Sequence, residues 1–296
     1  TAYSMAPSSS GGIALIQLLK MSEHFPLQDF GSKTARTIHL MTEMERRVYA
    51  DRAEHLGDSD FWDVPFTELL SDSYIAGRVN KISMDNATSS EDVRAMELEN
   101  IAESEETTHY SIIDNEGNAV SLTTTINSAY GSKVFVEGAG FLLNNEMDDF
   151  SSKPGVPNKY GLLGGAANSI QPGKRMLSAM TPTILEKDGK LFMVVGTPGG
   201  STIITSVYQT IVNVIDHNMT MSEAVSEKRF HHQWKPDQIS IEEGAIDDAV
   251  IRELEEMGHR IKRRGSIGKV DAILVRPDGS YEGGADPRGD DWAIGL

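Results

Sequence analysis

The sequence contains no cysteine. Disulfides, thiolate metal sites and a cysteine nucleophile are therefore excluded, and the absence fits an oxidising compartment without requiring one. Cations are scarce: 27 Lys and Arg stand against 44 Asp and Glu, a formal net charge of -17. That balance argues against nucleic acid and anionic membrane surfaces, since both need clustered cations. No apolar run approaches the roughly 20 residues that a membrane-spanning helix needs. No signal peptide is visible, and no internal repeat. What remains is a chain of 296 residues with ordinary composition, long enough to bury a substantial core in one large domain or two small ones.

Residues 11–25 have a helical pattern, with Ile13, Ile16, Leu18 and Leu19 on an apolar side after a Ser/Gly cap region. A second helix is predicted over 33–55, where Ile38, Met41, Met44 and Val48 recur at three- and four-residue steps, and a third over 65–78. These helices carry no obvious chemistry and read as core. Residues 91–106 set Glu91, Asp92, Glu97, Glu99, Glu103, Glu105 and Glu106 against one base, Arg94. Such a run reads as a solvated helix end or an exposed loop.

At Thr107 the pattern changes. Thr108, Tyr110 and Ile112 alternate with His109, Ser111 and Ile113, residues 114–118 supply a turn, and 119–126 is again strand-like. Farther on, residues 151–173 are rich in Gly and Pro and read as a long surface loop. A buried strand at 191–196 leads through Pro198–Gly199–Gly200–Ser201 into an apolar helix at 202–215. A helix at 247–258 and strands near 238–242 and 270–275 complete the alternation.

A hairpin that opens with a hydroxyl residue after an exposed loop is the layout for self-cleavage before a threonine. The hydroxyl attacks the preceding carbonyl, and the freed α-amino group then serves as its base. By spacing alone, Thr107 reads rather as an ordinary strand threonine, whose branched side chain suits the pleat. Thr123, Thr125 and Asn127 stand two apart and would share one strand face. Glu146 and Asp149 form a carboxylate pair suited to an ammonium group, or a solvated acidic turn. A metal is disfavoured there because no histidine falls at ligand spacing. Amide groups after Gly199 and Gly200 could hold an oxyanion at a helix start; no Gly-Lys-Ser/Thr ending supports a phosphate loop. His231 and His232 diverge and read as structural, and Asp286 and Arg288 as an internal ion pair.

Several long motifs, in order, resemble the γ-glutamyltranspeptidase family of N-terminal nucleophile hydrolases. They are Ser9–Ser10–Gly11–Gly12, Thr107–Thr108–His109–Tyr110–Ser111, Asn144–Asn145–Glu146–Met147–Asp148–Asp149–Phe150, Pro198–Gly199–Gly200–Ser201, Arg229–Phe230–His231–His232–Gln233–Trp234 and Asp286–Pro287–Arg288. The resemblance implies an α+β fold, the four-layer αββα sandwich. It divides the chain into 1–106, the C-terminal part of a large subunit, and 107–296, a small catalytic subunit released by cleavage between Glu106 and Thr107. The missing N-terminal part of the large subunit becomes an expected partner.

The resemblance also implies roles. Thr107 is the nucleophile, Thr125 hydrogen-bonds its hydroxyl, and Gly199 and Gly200 form the oxyanion hole. Asn127, Glu146 and Asp149 bind the substrate's α-amino group, Ser178 and the backbone of Ala179 its α-carboxylate, and Tyr160 closes over it. Ala179 departs from the family's second serine, and the family's carboxylate-binding arginine lies upstream of this sequence. The implied activity is hydrolysis and transfer of γ-glutamyl groups, from glutathione and related amides to water, an amino acid or a dipeptide, without metal or organic cofactor. The implied location is periplasmic or secreted. Two alternatives stay open: a β-lactam side-chain acylase or poly-γ-glutamate depolymerase of the same superfamily, and an uncleaved, non-catalytic binding or scaffold relative.

Overall fold

A computed structural model describes residues 1–93, 107–151 and 164–295. The chain opens with β1 (Ala2–Ser4), α1 (Gly11–Ser22), α2 (Leu27–Phe30) and α3 (Ala35–His55), followed by α4 (Phe66–Leu69) and α5 (Asp72–Val79). The helix expected over 65–78 is thus two. Ser71 lies between them in extended conformation and caps α5, its hydroxyl accepting from the Tyr74 amide at 3.3 Å.

The hairpin follows as β2 (Thr108–Ile113) and β3 (Ala119–Thr124), then β4 (Phe135–Val136), β5 (Phe141–Leu142) and a 3₁₀ turn over Glu146–Asp149. Next come β6 (Thr183–Lys187), β7 (Lys190–Gly196), α6 (Thr202–Ile215), α7 (Met221–Ser226), β8 (Phe230–His231) and β9 (Ile239–Glu242). The last elements are α8 (Asp248–Glu256), β10 (Ile261–Arg264), β11 (Asp271–Val275) and β12 (Tyr281–Gly284).

An antiparallel sheet in the order β1-β6-β7-β11-β12 organises the molecule. Alternation along β7 divides its two faces. Met193 and Val195 join the core formed with α1, α3 and α6 through Leu15, Leu18, Ile38, Met44, Ile204 and Tyr208. Gly196, on the opposite face, meets the His109 ring of the hairpin. The β2–β3 hairpin packs on that face through His109, Ser111 and Ser121; Ser111 Oγ donates to Asp271 O at 3.0 Å and Ser121 Oγ to Val195 O at 3.1 Å. Its outer face, with Tyr110, Ile112, Val120 and Leu122, is exposed. Three consecutive layers of the helix–sheet–sheet–helix plan therefore lie among the described residues.

Residues on both sides of the 106–107 junction feed one core, so a break there would leave two interleaved chains. Helix α3 is more deeply placed than its apolar stripe predicts. Its charged face is buried as well: Glu43 pairs with Arg46 at 3.2 Å and Arg47 at 2.7 Å. Trp234 seals this layer, donating from Nε1 to Ser90 O and Val93 O at 2.9 Å. The expected 151–173 surface loop is also partly interior, for Ala167 and Asn168 are buried and Gly165 N donates to Ala53 O at 2.9 Å.

Candidate active site

Thr107 stands immediately before β2, half-buried, in the wall of a cavity of about 40 Å³. Thr125 and Asn127 line the same cavity, but not as residues of one strand face. β3 ends at Thr124, and Asn127 turns into the left-handed region at φ 74°, which an asparagine tolerates. The turn is held by the Asn127 amide donating to Thr125 Oγ1 at 2.8 Å. Thr123, the first of the expected trio, is instead hydrogen-bonded to His109 Nδ1 at 2.8 Å.

Asp149 reaches the cavity from the end of the 3₁₀ turn, with Asn127 Nδ2 donating to its Oδ1 at 3.4 Å. Asn168 fixes the turn by donating to Asp149 O at 2.7 Å. Glu146 begins that turn outside the cavity lining, half-buried, and burial pushes its carboxyl pKa up. Ser178 and Ala179 line the same cavity. The Ser178 amide donates to Ser8 O at 3.1 Å, while its carbonyl accepts from Ser10 Oγ at 2.6 Å and Ser10 N at 2.9 Å.

Gly200 closes the remaining wall at the start of α6. Gly199 has φ 135° and Gly200 φ 56°, so this strand-to-helix turn requires residues without a side chain. A Cβ on Gly199 would lie 2.7 Å from Thr202 Oγ1. Gly199 O accepts from Thr202 N at 3.0 Å and Thr202 Oγ1 at 2.8 Å, which fixes the turn. Amides at such a helix start favour anionic oxygen. Glu106 and Tyr160 lie outside the described residues.

One charged residue of the cavity has no counterpart in the sequence-based expectations. Arg52 of α3 lines it, 4% exposed, and its Nε donates to Ser10 Oγ at 2.8 Å. Burial lowers its pKa, opposed by Tyr49 and Asp149. The available signal was position: Arg52 follows Val48 by one helical turn and so continues the apolar stripe.

His231 and His232 are buried and held neutral by burial, with pKa values pushed down to about 3 and about 4. His231 is hydrogen-bonded to Thr205 Oγ1 and Gln233 Oε1, each at 2.8 Å, a structural arrangement. Asp286 pairs with Arg288 at 2.9 Å and also with Arg229 at 2.8 Å. Among the described residues no His, Cys, Asp or Glu group could hold a metal ion, and no helix is long and apolar enough to cross a membrane. A larger groove of about 1170 Å³ lies along α1, α6 and β11, lined by Ile16, Leu19, Ile211, Ile215 and Leu274. Its lining also carries Lys20, Glu23, Glu186, Asp216 and Arg276, and it includes none of the residues expected to be catalytic.

Helices packed on one sheet with a second, hairpin layer beyond it, and a threonine at the head of a strand of that hairpin, fit the class of N-terminal nucleophile hydrolases. Within that class the chain belongs to the γ-glutamyltranspeptidase family, whose sequence model matches residues 1–296. It is 45% identical over 295 residues to the glutathione hydrolase proenzyme of Escherichia coli (strain K12), covering 99% of this chain and 50% of that protein. Similarity to the acylase ACY 1 proenzyme of Pseudomonas sp. (strain SE83) is 34% over 291 residues, covering 98% of this chain and 49% of the acylase. The solved γ-glutamyltranspeptidase of Pseudomonas nitroreducens, complexed with L-DON, superposes with a TM-score of 0.61 at 47% identity, covering 64% of this chain and 99% of the matched one. The chain spans about half the length of the curated relatives it matches.

Proposed function

We propose that the protein hydrolyses γ-glutamyl amides, glutathione among them, and transfers the γ-glutamyl group to amino acids or dipeptides. The observation that carries this reading is the cavity itself. Thr107, Gly200, Asn127, Asp149 and Ser178 all line it. Cleavage between residues 106 and 107 would divide the chain into the tail of a large subunit and a small subunit, and would free the Thr107 amine. That amine takes the hydroxyl proton as the oxygen attacks the γ-carbonyl. The developing oxyanion is held by the Gly199 and Gly200 amides. The leaving amine departs with a proton, and water or an acceptor amine then resolves the acyl-enzyme. Asn127, Asp149 and Glu146 take the substrate ammonium, Ser178 and the Ala179 amide its carboxylate, and Tyr160 covers it. The same reading puts the working enzyme in the periplasm or outside the cell, with the rest of the large subunit as partner.

The acylase relative names the alternative. γ-Glutamyl-p-nitroanilide and glutaryl-p-nitroanilide differ by the α-amino group and should separate the two with the full-length protein. The γ-glutamyl substrate is expected to be turned over at least about tenfold more efficiently, the worth of one charge-assisted contact. Turnover of the glutaryl compound alone would sink the assignment.

A further inference from the structure

We propose that Arg52 is a positioning residue that links the substrate-holding parts of the cavity, setting a fixed positive charge in the same cavity as the Asp149 carboxylate and holding the Ser178 segment in place. The inference rests on the γ-glutamyl reading above. Its basis is a continuous connection from α3 to the cavity. Arg52 Nε donates to Ser10 Oγ at 2.8 Å, and Ser10 Oγ donates to Ser178 O at 2.6 Å. Ser10 is fully buried, so this relay has no solvent substitute. Arg52 and Asp149 both line the cavity, and their opposite charges attract.

The physical logic is one of charge. Removing a carboxylate from water favours its neutral form, and a neutral acid holds an ammonium group poorly. A guanidinium in the same cavity opposes that drift. It adds donors in a planar fork that cannot lose its proton, which suits it to a fixed structural charge. Arg52 thus acts on the substrate through Asp149 and Ser178, without a part in bond making.

The test is steady-state kinetics of full-length Arg52→Gln and Arg52→Lys on γ-glutamyl-p-nitroanilide and glutaryl-p-nitroanilide, beside wild type. Arg52→Gln should raise KM for the γ-glutamyl substrate by about tenfold or more, with kcat changed by less than about threefold. The rise for the glutaryl substrate, which has no ammonium group, should stay within about threefold, and Arg52→Lys should recover much of the loss. Ser10→Ala removes the relay without removing the charge and should move KM in the same direction by a smaller factor. It decides the matter if Arg52→Gln does not fold. Unchanged KM in Arg52→Gln or, failing that variant, in Ser10→Ala would overturn the proposal, as would an equal rise for both substrates. A wild-type enzyme without γ-glutamyl turnover would overturn the functional reading first, and this proposal with it.

Discussion

Replacing Gly196 by alanine tests how the hairpin that carries Thr107 is seated on the sheet. A Cβ there would lie 2.2 Å from His109 Cε1, 2.4 Å from Nδ1 and 2.7 Å from Nε2. Carbon contacts settle at about 3.5–4.0 Å, so ring or strand must retreat by about 1 Å or more. His109 has little room, being 5% exposed and hydrogen-bonded to Thr123 Oγ1 at 2.8 Å and Ser111 Oγ at 3.0 Å. Overpacking of this kind costs about 1–3 kcal/mol, and a buried polar ring that loses its partners costs a similar amount. With roughly 2.1 cal/mol/K of unfolding entropy per residue, 296 residues give about 0.6 kcal/mol/K, so a loss of about 3 kcal/mol lowers Tm by about 5 °C. Thr107 lies only two residues before His109, and a shift of about 1 Å at a reacting group is worth about a hundredfold in rate. Thermal unfolding and turnover of Gly196→Ala should show both losses. Adding His109→Ala should make the two changes non-additive, because the second opens the space the first needs. A Gly196→Ala protein that melts within about 1 °C of wild type and keeps its rate would refute this account of the seating.

Gly199→Ala places a side chain at φ 135° and should lower kcat by about a hundredfold or more through the displaced amide, read in the γ-glutamyl-p-nitroanilide assay. Asp271→Asn should change how stability depends on pH. The Asp271 carboxyl is pushed up to about 7, chiefly by burial and then by Asp291 and Asp286. The folded state therefore holds this proton more tightly than the unfolded state does. Stability falls as pH rises from the ordinary value of 3.8 through about 7 and then levels off. The asparagine variant should gain stability over wild type at pH 8 and lose that advantage by about pH 4, measured by denaturant unfolding. An equal difference at both pH values would contradict the assignment.

Much of the fold was legible because its local signals agree with its tertiary role. Thr202–Ile215 carries Ile203, Ile204, Val207, Ile211 and Val214 at helical spacing, so the helix reads from its apolar stripe. The β2–β3 hairpin combines alternation with a polar turn, and the Gly199–Gly200 break marks a backbone that no side chain permits. Other parts depended on contacts that periodicity does not carry. The charged face of α3 would ordinarily point to solvent, yet Arg46 and Arg47 are buried because the segment around Ser90 and Trp234 closes over them. Arg52 continues the apolar stripe one turn after Val48, and periodicity does not show that this position lines a cavity. The end of β3 at Thr124 could not be read from Thr123, Thr125 and Asn127, since an asparagine at positive φ leaves the alternation of residue types intact. Within the candidate site, Thr107, Thr125, Asn127, Asp149, Ser178, Ala179 and Gly200 are brought to one cavity by elements far apart in sequence. Motif order pointed to that set; spacing alone did not.

The proposed chemistry requires the Thr107 hydroxyl and the amine that a break before it would release. Intact mass and N-terminal sequencing of the full-length protein after incubation, with Thr107→Ala alongside, test this most directly. A new N-terminus at Thr107 that the alanine variant lacks is the predicted result. A full-length protein that remains intact through incubation, or an alanine variant that is cut at the same bond, would contradict it.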